Sequence, residues 1–361
     1  MRGKKANSLH KKSGASVSVP QNAPKSNQTQ PALSKSTPPK DRKPAKESSI
    51  GLTITDTEAE IRRDYIYDEY VIIAPKRHNR PFDFRGNDHP LIETASSPHL
   101  DEQGLIDELK SPLGGWPVRV VKNKFPAITL DNVKAYGQQE IVVDTPLSNM
   151  PPGKLSLEST EDVLMMFQKR LSALKRVPHI QYVQIFKNDG HHAGASLAHA
   201  HTQIFALPIV PPHLQEKARV ADTYASKQHS HPFDDIIAYE LKQKQRVIFD
   251  SDELLCIAPY ASQWSLETWI IPKRQIMSFE ELNKKEIKSF ADTLLKLLHK
   301  LNKFGINYNY FIENALSPNQ RCVMKIYGRN VVSPLGGLEV STGVMINTIS
   351  PEDAARWYKS Q

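Results

Sequence analysis

The sequence predicts an α+β fold made twice: two copies of one domain, each an antiparallel sheet with helices packed on it. Three observations carry this. Apolar positions recur at helical spacing in two long segments, residues 159–176 and 280–304. Each segment is followed by two β-rich runs, "IQYVQIFKN" then "HAHTQIFAL", and "INYNYFIEN" then "CVMKIYG". The second set trails the first by about 120–130 residues, a period too long for a solenoid and suited to a duplicated domain.

The elements follow in order. Residues 1–50 hold 11 Lys/Arg against 2 Asp/Glu, whereas the rest of the chain holds 36 against 37. The formal charge of +8 therefore belongs to the first segment, which is rich in Ser, Pro, Lys, Gln and Asn and poor in aromatic residues. Such a composition buries too little apolar surface to offset its ordering entropy, so residues 1–52 are expected to be a disordered basic tail. A near-neutral remainder argues against a nucleic-acid surface on the folded part. The first domain is expected over 53–215. It opens with the strand "EYVIIA", followed by a long polar loop over 85–115. The strands "WPVRVVKN" and "QQEIVVDTP", the helix over 159–176 and the two runs above complete it. A linker is expected over 216–234, with a connecting helix in the segment between the copies. The second domain, 235–361, offers the strands "RVIFDSDELLCIAPY" and "LETWIIPK", then its own helix and strand pair, the last two joined by the turn "ALSPNQ".

Cys256 and Cys322 belong to no C-x-x-C pair, which excludes a disulfide framework and a cysteine-rich zinc site. The first thirty residues lack an apolar core of the secretory kind, and no apolar run approaches the ~18–20 residues a bilayer crossing needs. A cytoplasmic protein without a membrane partner is the expectation.

The chemistry concentrates in "KNDGHHAGASLAHAHTQIFALP", residues 187–208. In a strand His199, His201 and Gln203 share one face. Asn188, Gly190, Gly194 and Ser196 precede them in a loop whose backbone can approach phosphate oxygens closely. Two histidines are too few for a metal site by themselves. A neutral imidazole, however, can attack phosphorus and divide one transfer into two easier steps, given a partner that fixes its tautomer. Structural histidines on a sheet face are the third reading. In the second copy the corresponding strand carries Cys322, Met324 and Ile326, so the reactive group is expected in the first copy alone.

At these residues the chain resembles the galactose-1-phosphate uridylyltransferase family of the histidine-triad superfamily, whose pattern is roughly F-x-N-K-G-x-x-x-G-x-S-x-x-H-P-H-x-Q. Asn188, Gly190, Gly194, Ser196, His199, His201 and Gln203 match it without a gap. The likeness extends over most of residues 60–355, through "YVIIAPKRHNRP", "VRVVKNKFPA", "IAPYASQWSLETWIIPK" and "GGLEVSTGVMINTISPEDAA". It implies two histidine-triad-like domains. His201 would be the nucleophile that takes a nucleotidyl group from a nucleoside diphosphate sugar, releases a sugar 1-phosphate and passes the group to a second phosphate. Gln203 would bind the transferred phosphoryl group; hydrolases of the superfamily usually carry a third His there, so Gln203 favours transfer. His199 would orient the site. Asn188, Gly190, Gly194 and Ser196 would serve the phosphates, Arg77 and Arg80 the nucleotide's charge, where a guanidinium fork suits phosphate. Asn123 and Phe125 would line the nucleoside pocket, and Glu339 would bind sugar. The resemblance also makes a homodimer the expected assembly.

The chain departs from the family at its metals. Many members hold structural zinc through an early C-x-x-C pair, a His after a strand and the first His of H-x-H. Here there is no such pair, and Leu147 and Ser148 stand where members often have Asp-His. An iron-type site using F-H-W-H is replaced by "QRCVMKIYGR", with Arg321 and Val323 in place of histidines. No zinc and no other cofactor are expected. His89, His99, His191 and His192 show no spacing that demands a substitute site and are read as surface-loop residues. Ala200 replaces the family's Pro between the histidines. The leading expectation is transfer of UMP between a UDP-hexose and a hexose 1-phosphate. An adenylyl-transferring phosphorylase, acting on ADP-glucose or a dinucleotide, is the alternative, and a catalytically weak nucleotide-binding protein the second.

Overall fold

Strand and helix alternate along the chain as β1 (Glu60–Arg63), β2 (Tyr70–Ile73), β3 (Leu105–Leu109), β4 (Val118–Lys122), β5 (Gln138–Val143), α1 (Leu157–Leu174), β6 (Tyr182–Asp189) and β7 (His201–Leu207). Then come α2 (Pro212–Gln228), α3 (Pro232–Gln243), β8 (Val247–Asp250), β9 (Leu254–Ile257), β10 (Thr268–Pro272), α4 (Lys284–Lys303), β11 (Tyr308–Glu313), β12 (Val323–Gly328), α5 (Gly337–Thr342), β13 (Met345–Asn347) and α6 (Pro351–Lys359). This is a computed structural model describing residues 51–55, 57–75, 104–109, 117–147, 150–329 and 336–360. Of the predicted tail, residues 1–50 lie outside that set, as do Arg77, Arg80, His89, His99 and Ser148.

The α+β class holds, and the two predicted sheets are joined edge to edge. Ten strands form one sheet in the order β3-β4-β5-β7-β6-β11-β12-β10-β9-β8. The seam is the antiparallel pair β6–β11, running from Ile185↔Ile312 to Asp189↔Tyr308. Directly opposite residues in antiparallel strands share a face. One row therefore crosses the sheet through Ile141, Gln203, Phe186, Phe311, Lys325, Trp269 and Ile257.

This row corrects the phase read from the sequence. Val323, Lys325 and Tyr327 share the face of His201 and Gln203; Met324 and Ile326 point the other way, into the core. A shift of one residue exchanges the two faces of a strand. Lys325 is buried and paired with Glu313 at 2.9 Å, and its ammonium lies 4.6 Å from the centre of the Trp269 ring. Burial pushes the Glu313 carboxyl up, but the Lys325 and Lys217 ammonium groups outweigh it and bring it down to about 2. The second copy thus fills this face with a structural ion pair.

Helices α1 and α4 cover the rear face. Val163, Leu164, Phe167 and Leu171 of α1 join Phe290, Leu294 and Leu297 of α4, Ile204 of β7 and Met324 of β12 in a single core cluster. Leu52 and Ile54 are buried in the same cluster, so packing begins one residue ahead of the predicted tail boundary. Helix α4 starts later than its apolar pattern suggests because Asn283 caps it: its Oδ1 accepts from Glu286 N–H at 3.1 Å while Glu286 Oε2 accepts from Asn283 N–H at 2.8 Å.

One segment differs from the sequence reading. The expected loop over 85–115 contains β3, an edge strand whose Arg119↔Glu108 register with β4 places a salt bridge of 2.9 Å. The linker and connecting helix expected between the copies fall in α2 and the start of α3. Phe233 and Ile236 of α3 pack on Leu255, Ile257 and Trp269, with Val220 and Tyr224 of α2 against them, covering the front face of the second copy. Among the described residues no helix is long and apolar enough to cross a membrane.

Candidate active site

His201 opens β7 and is buried. Its Nδ1 lies 2.7 Å from the carbonyl oxygen of His199. A carbonyl only accepts, so Nδ1 carries the proton and Nε2 keeps its lone pair. Burial, then the nearby Lys187 ammonium, hold this imidazole below the ordinary histidine pKa, which favours the neutral ring. On the opposite side of the strand Lys187 donates 2.8 Å to the carbonyl of His201 itself and 2.7 Å to Asp144 Oδ2. Thr202 donates to Asp144 Oδ1 at 3.2 Å, and its hydroxyl meets the Tyr310 hydroxyl at 2.9 Å. A fully hydrogen-bonded buried cluster thus clamps the backbone that carries His201.

His199 precedes the strand. Its Nε2 reaches the carbonyl of Thr145 at 2.6 Å, so that nitrogen is a donor and offers no lone pair. Among the described residues no three His, Cys, Asp or Glu side chains gather as metal ligands, and both cysteines are buried in the core. The described residues thus do not assemble the zinc site the resemblance implies.

Gln203, half-buried, shares the face of His201. Its Oε1 accepts from Gln139 Nε2 at 3.2 Å. Gln139 Oε1 in turn accepts from the backbone N–H of Ala127 at 2.9 Å. Ala127 ends the turn that holds Asn123 and Phe125, where Asn123 Oδ1 accepts from Phe125 N–H at 2.8 Å and the Phe125 ring is 90% exposed. Asn123 and Phe125 are therefore linked to β7 through Gln139.

The loop after β6 turns on two glycines with positive φ, Gly190 at 82° and Gly194 at 83°. It is held from the second copy. Asn309 donates 2.8 Å to Asn188 Oδ1 and 2.8 Å to the carbonyl of Ala193, and Asn307 Oδ1 accepts from His192 N–H at 3.0 Å. Ser196 is exposed beyond the turn, and His191 and His192 are exposed within it. Glu339 half-caps α5, accepting from Gly336 N–H at 3.0 Å, and no hydrogen bond among the described residues joins it to His201 or Gln203. The structure thus sets Asn188, Gly190 and Gly194 in the loop that leads to His199, His201 and Gln203, and links Asn123 and Phe125 to Gln203 through Gln139. Sequence reading missed Asn307, Asn309, Gln139, Lys187 and Asp144. A period-2 count along β5 and β11 would have flagged Gln139 and Asn309 as polar residues on the histidine face.

Comparison with protein families meets this geometry at both copies. The galactose-1-phosphate uridyl transferase N-terminal domain matches residues 118–211, and the C-terminal domain of the same family matches residues 217–321, together more than half of the chain. The chain belongs to the galactose-1-phosphate uridyl transferase family. Among relatives in this family, an ADP-glucose phosphorylase of Arabidopsis thaliana is 28% identical over 339 residues, covering 85% of this chain and 94% of that one. A galactose-1-phosphate uridylyltransferase of Thermotoga maritima is 24% identical over 323 residues, covering 82% and 96%. A crystal structure of an Arabidopsis thaliana ADP-glucose phosphorylase with bound ADP-glucose superposes with a TM-score of 0.71 at 27% identity, over 84% of this chain and 99% of that one. A solved uridylyltransferase shares the fold at a TM-score of 0.65 and 22% identity, over 83% and 97%. Membership makes this chain an enzyme of the nucleotidyl-transferring kind.

Proposed function

We propose that the chain moves a nucleoside monophosphate from a nucleoside diphosphate hexose to a second phosphate through a covalent bond to His201. The single observation that carries this is the Nδ1 contact to the His199 carbonyl, which leaves Nε2 as a neutral nucleophile. Nε2 attacks the α-phosphorus, the bond to the bridging oxygen breaks, and hexose 1-phosphate leaves with that electron pair. The ring gains positive charge, which strengthens the Nδ1–H bond to the carbonyl. A phosphate oxygen of the acceptor then attacks the same phosphorus and returns the lone pair to Nε2. Asn188, Gly190, Gly194 and Ser196 serve the phosphates, and Arg77 and Arg80 the nucleotide's charge. Asn123 and Phe125 serve the nucleoside. Glu339, from the second copy, serves the sugar, and a homodimer is the assembly the family resemblance supports. No zinc takes part, a reading supported by the missing ligands and checked by metal analysis of the purified protein.

For the donor, ADP-glucose with a phosphate acceptor is the first reading, supported by likeness to an ADP-glucose phosphorylase in both sequence and fold. A UDP-hexose with a hexose 1-phosphate, the expectation from the motif, is the second, supported by the family match and the uridylyltransferase relatives. Intact-mass spectrometry after incubation with ADP-glucose or UDP-glucose tests both. An acid-labile nucleotidyl adduct is expected with one of them and lost in His201→Gly. Folded protein that binds nucleotide yet gives no adduct with either overturns the assignment of His201.

A further inference from the structure

We propose that Gln139 is a positioning residue: it decides which end of the Gln203 amide faces the transferred phosphoryl group. The inference rests on nucleotidyl transfer at His201. A backbone N–H can only donate, so the end of Gln139 that meets Ala127 N–H at 2.9 Å is Oε1. The other end is then the NH2, and it points at Gln203, 3.2 Å away. Gln203 must answer with its oxygen. Its own NH2 is left on the face of His201, and no hydrogen bond among the described residues uses it. Donor direction thus passes from one fixed backbone group through two amides to the site. An NH2 stabilises charge developing on a phosphoryl oxygen; the reversed amide would set a carbonyl oxygen against it.

The sheet makes the relay rigid. Gln139 is 9% exposed and lies on β5 two residues before Ile141, which is directly opposite Gln203 on β7. The two side chains are diagonal neighbours on one face, within reach of each other. The same hydrogen bond ties the turn of Asn123 and Phe125 to the catalytic amide.

Gln139→Glu separates this role from simple packing. The ionised carboxylate still accepts from Ala127 N–H but cannot donate, so Gln203 turns its NH2 toward Glu and its oxygen toward the phosphoryl group. Protonated, the same side chain regains an O–H donor and restores the native direction. Single-turnover adduct formation at saturating nucleotide sugar, as the ratio of Gln139→Glu to wild type, is expected to fall on the order of 10²-fold at pH 8. The ratio recovers as pH drops through the introduced carboxyl's pKa, which burial raises. A loss independent of pH, or no loss, overturns the proposal. Should Gln139→Glu not fold, Gln139→Leu carries the test in a cycle with Gln203→Leu. A residue acting only through Gln203 adds nothing in the Gln203→Leu background, and additive losses refute it. Wild type that forms no adduct with any nucleotide sugar brings down the His201 reading as well; wild type that reacts while Gln139→Glu stays unchanged brings down Gln139 alone.

Discussion

At the residue scale, one hydrogen bond and one buried environment decide what His201 is. Its Nδ1–H to the His199 carbonyl leaves a lone pair on Nε2, the nitrogen we propose as nucleophile, and burial with the Lys187 ammonium lowers its pKa and favours the neutral ring. Only the neutral ring attacks phosphorus. The acid limb of adduct formation is therefore expected below pH 6.5, the ordinary histidine value, and a rapid-quench pH profile reads it directly. A limb at or above 6.5 contradicts the burial argument. The same lowered pKa acts on stability with a defined sign. The unfolded chain binds the proton more tightly, so the His201 contribution is fully present above about pH 6.5 and is lost as pH falls through and below that value.

At the element scale, the loop after β6, which we propose as the phosphate loop, belongs to the first copy in sequence but is held by Asn307 and by Asn309 of the second copy's β11. Gly190 shows how tightly. Its φ of 82° suits glycine, and a Cβ there would sit 2.2 Å from Asn307 Nδ2. Gly190→Ala must push Asn307 aside and free the His192 N–H it holds at 3.0 Å. Backbone strain of about 1–3 kcal/mol is the expected cost in stability. Adduct formation is expected to fall well beyond what the remaining folded fraction explains, as read by mass spectrometry beside a denaturant titration. Equal losses in both would make the glycine structural only. This clamp was illegible in the sequence, because Asn307 and Asn309 stand some 115 residues from the loop they hold. The strand and helix order was legible, since periodicities of 2 and 3.6 were clear in β6, β7, α1 and α4. The phase of β12 was not. In "CVMKIYG" apolar residues occupy both faces, and only pairing with β11 shows that Lys325 points to the front. Strand β3 hid in a polar segment because an edge strand needs little apolar surface. The helix between the copies was legible as a connecting helix; its division into α2 and α3 was not.

At the scale of the whole molecule, the two copies share one ten-stranded sheet and one rear core, with β1, β2 and β13 in a separate three-stranded sheet. Ile185 and Ile312 face each other across the β6–β11 seam, both fully buried, and α1 and α4 share the cluster beneath them. Neither copy can expose its seam edge without opening the core of the other, so unfolding is expected as a single cooperative transition. Far-UV circular dichroism follows both copies, whereas in a Trp116→Phe background the remaining tryptophans, Trp264, Trp269 and Trp357, report on the second. The two signals should change together, with equal calorimetric and van't Hoff enthalpies. Ile312→Ala sharpens the test. Removing those buried methyl groups is expected to cost about 2–5 kcal/mol and to move both signals by the same amount, although the substitution lies in one copy. Two separated transitions, or a shift confined to the tryptophan signal, would mean that the copies fold as independent units and that the hold of β11 on the phosphate loop can open without global unfolding.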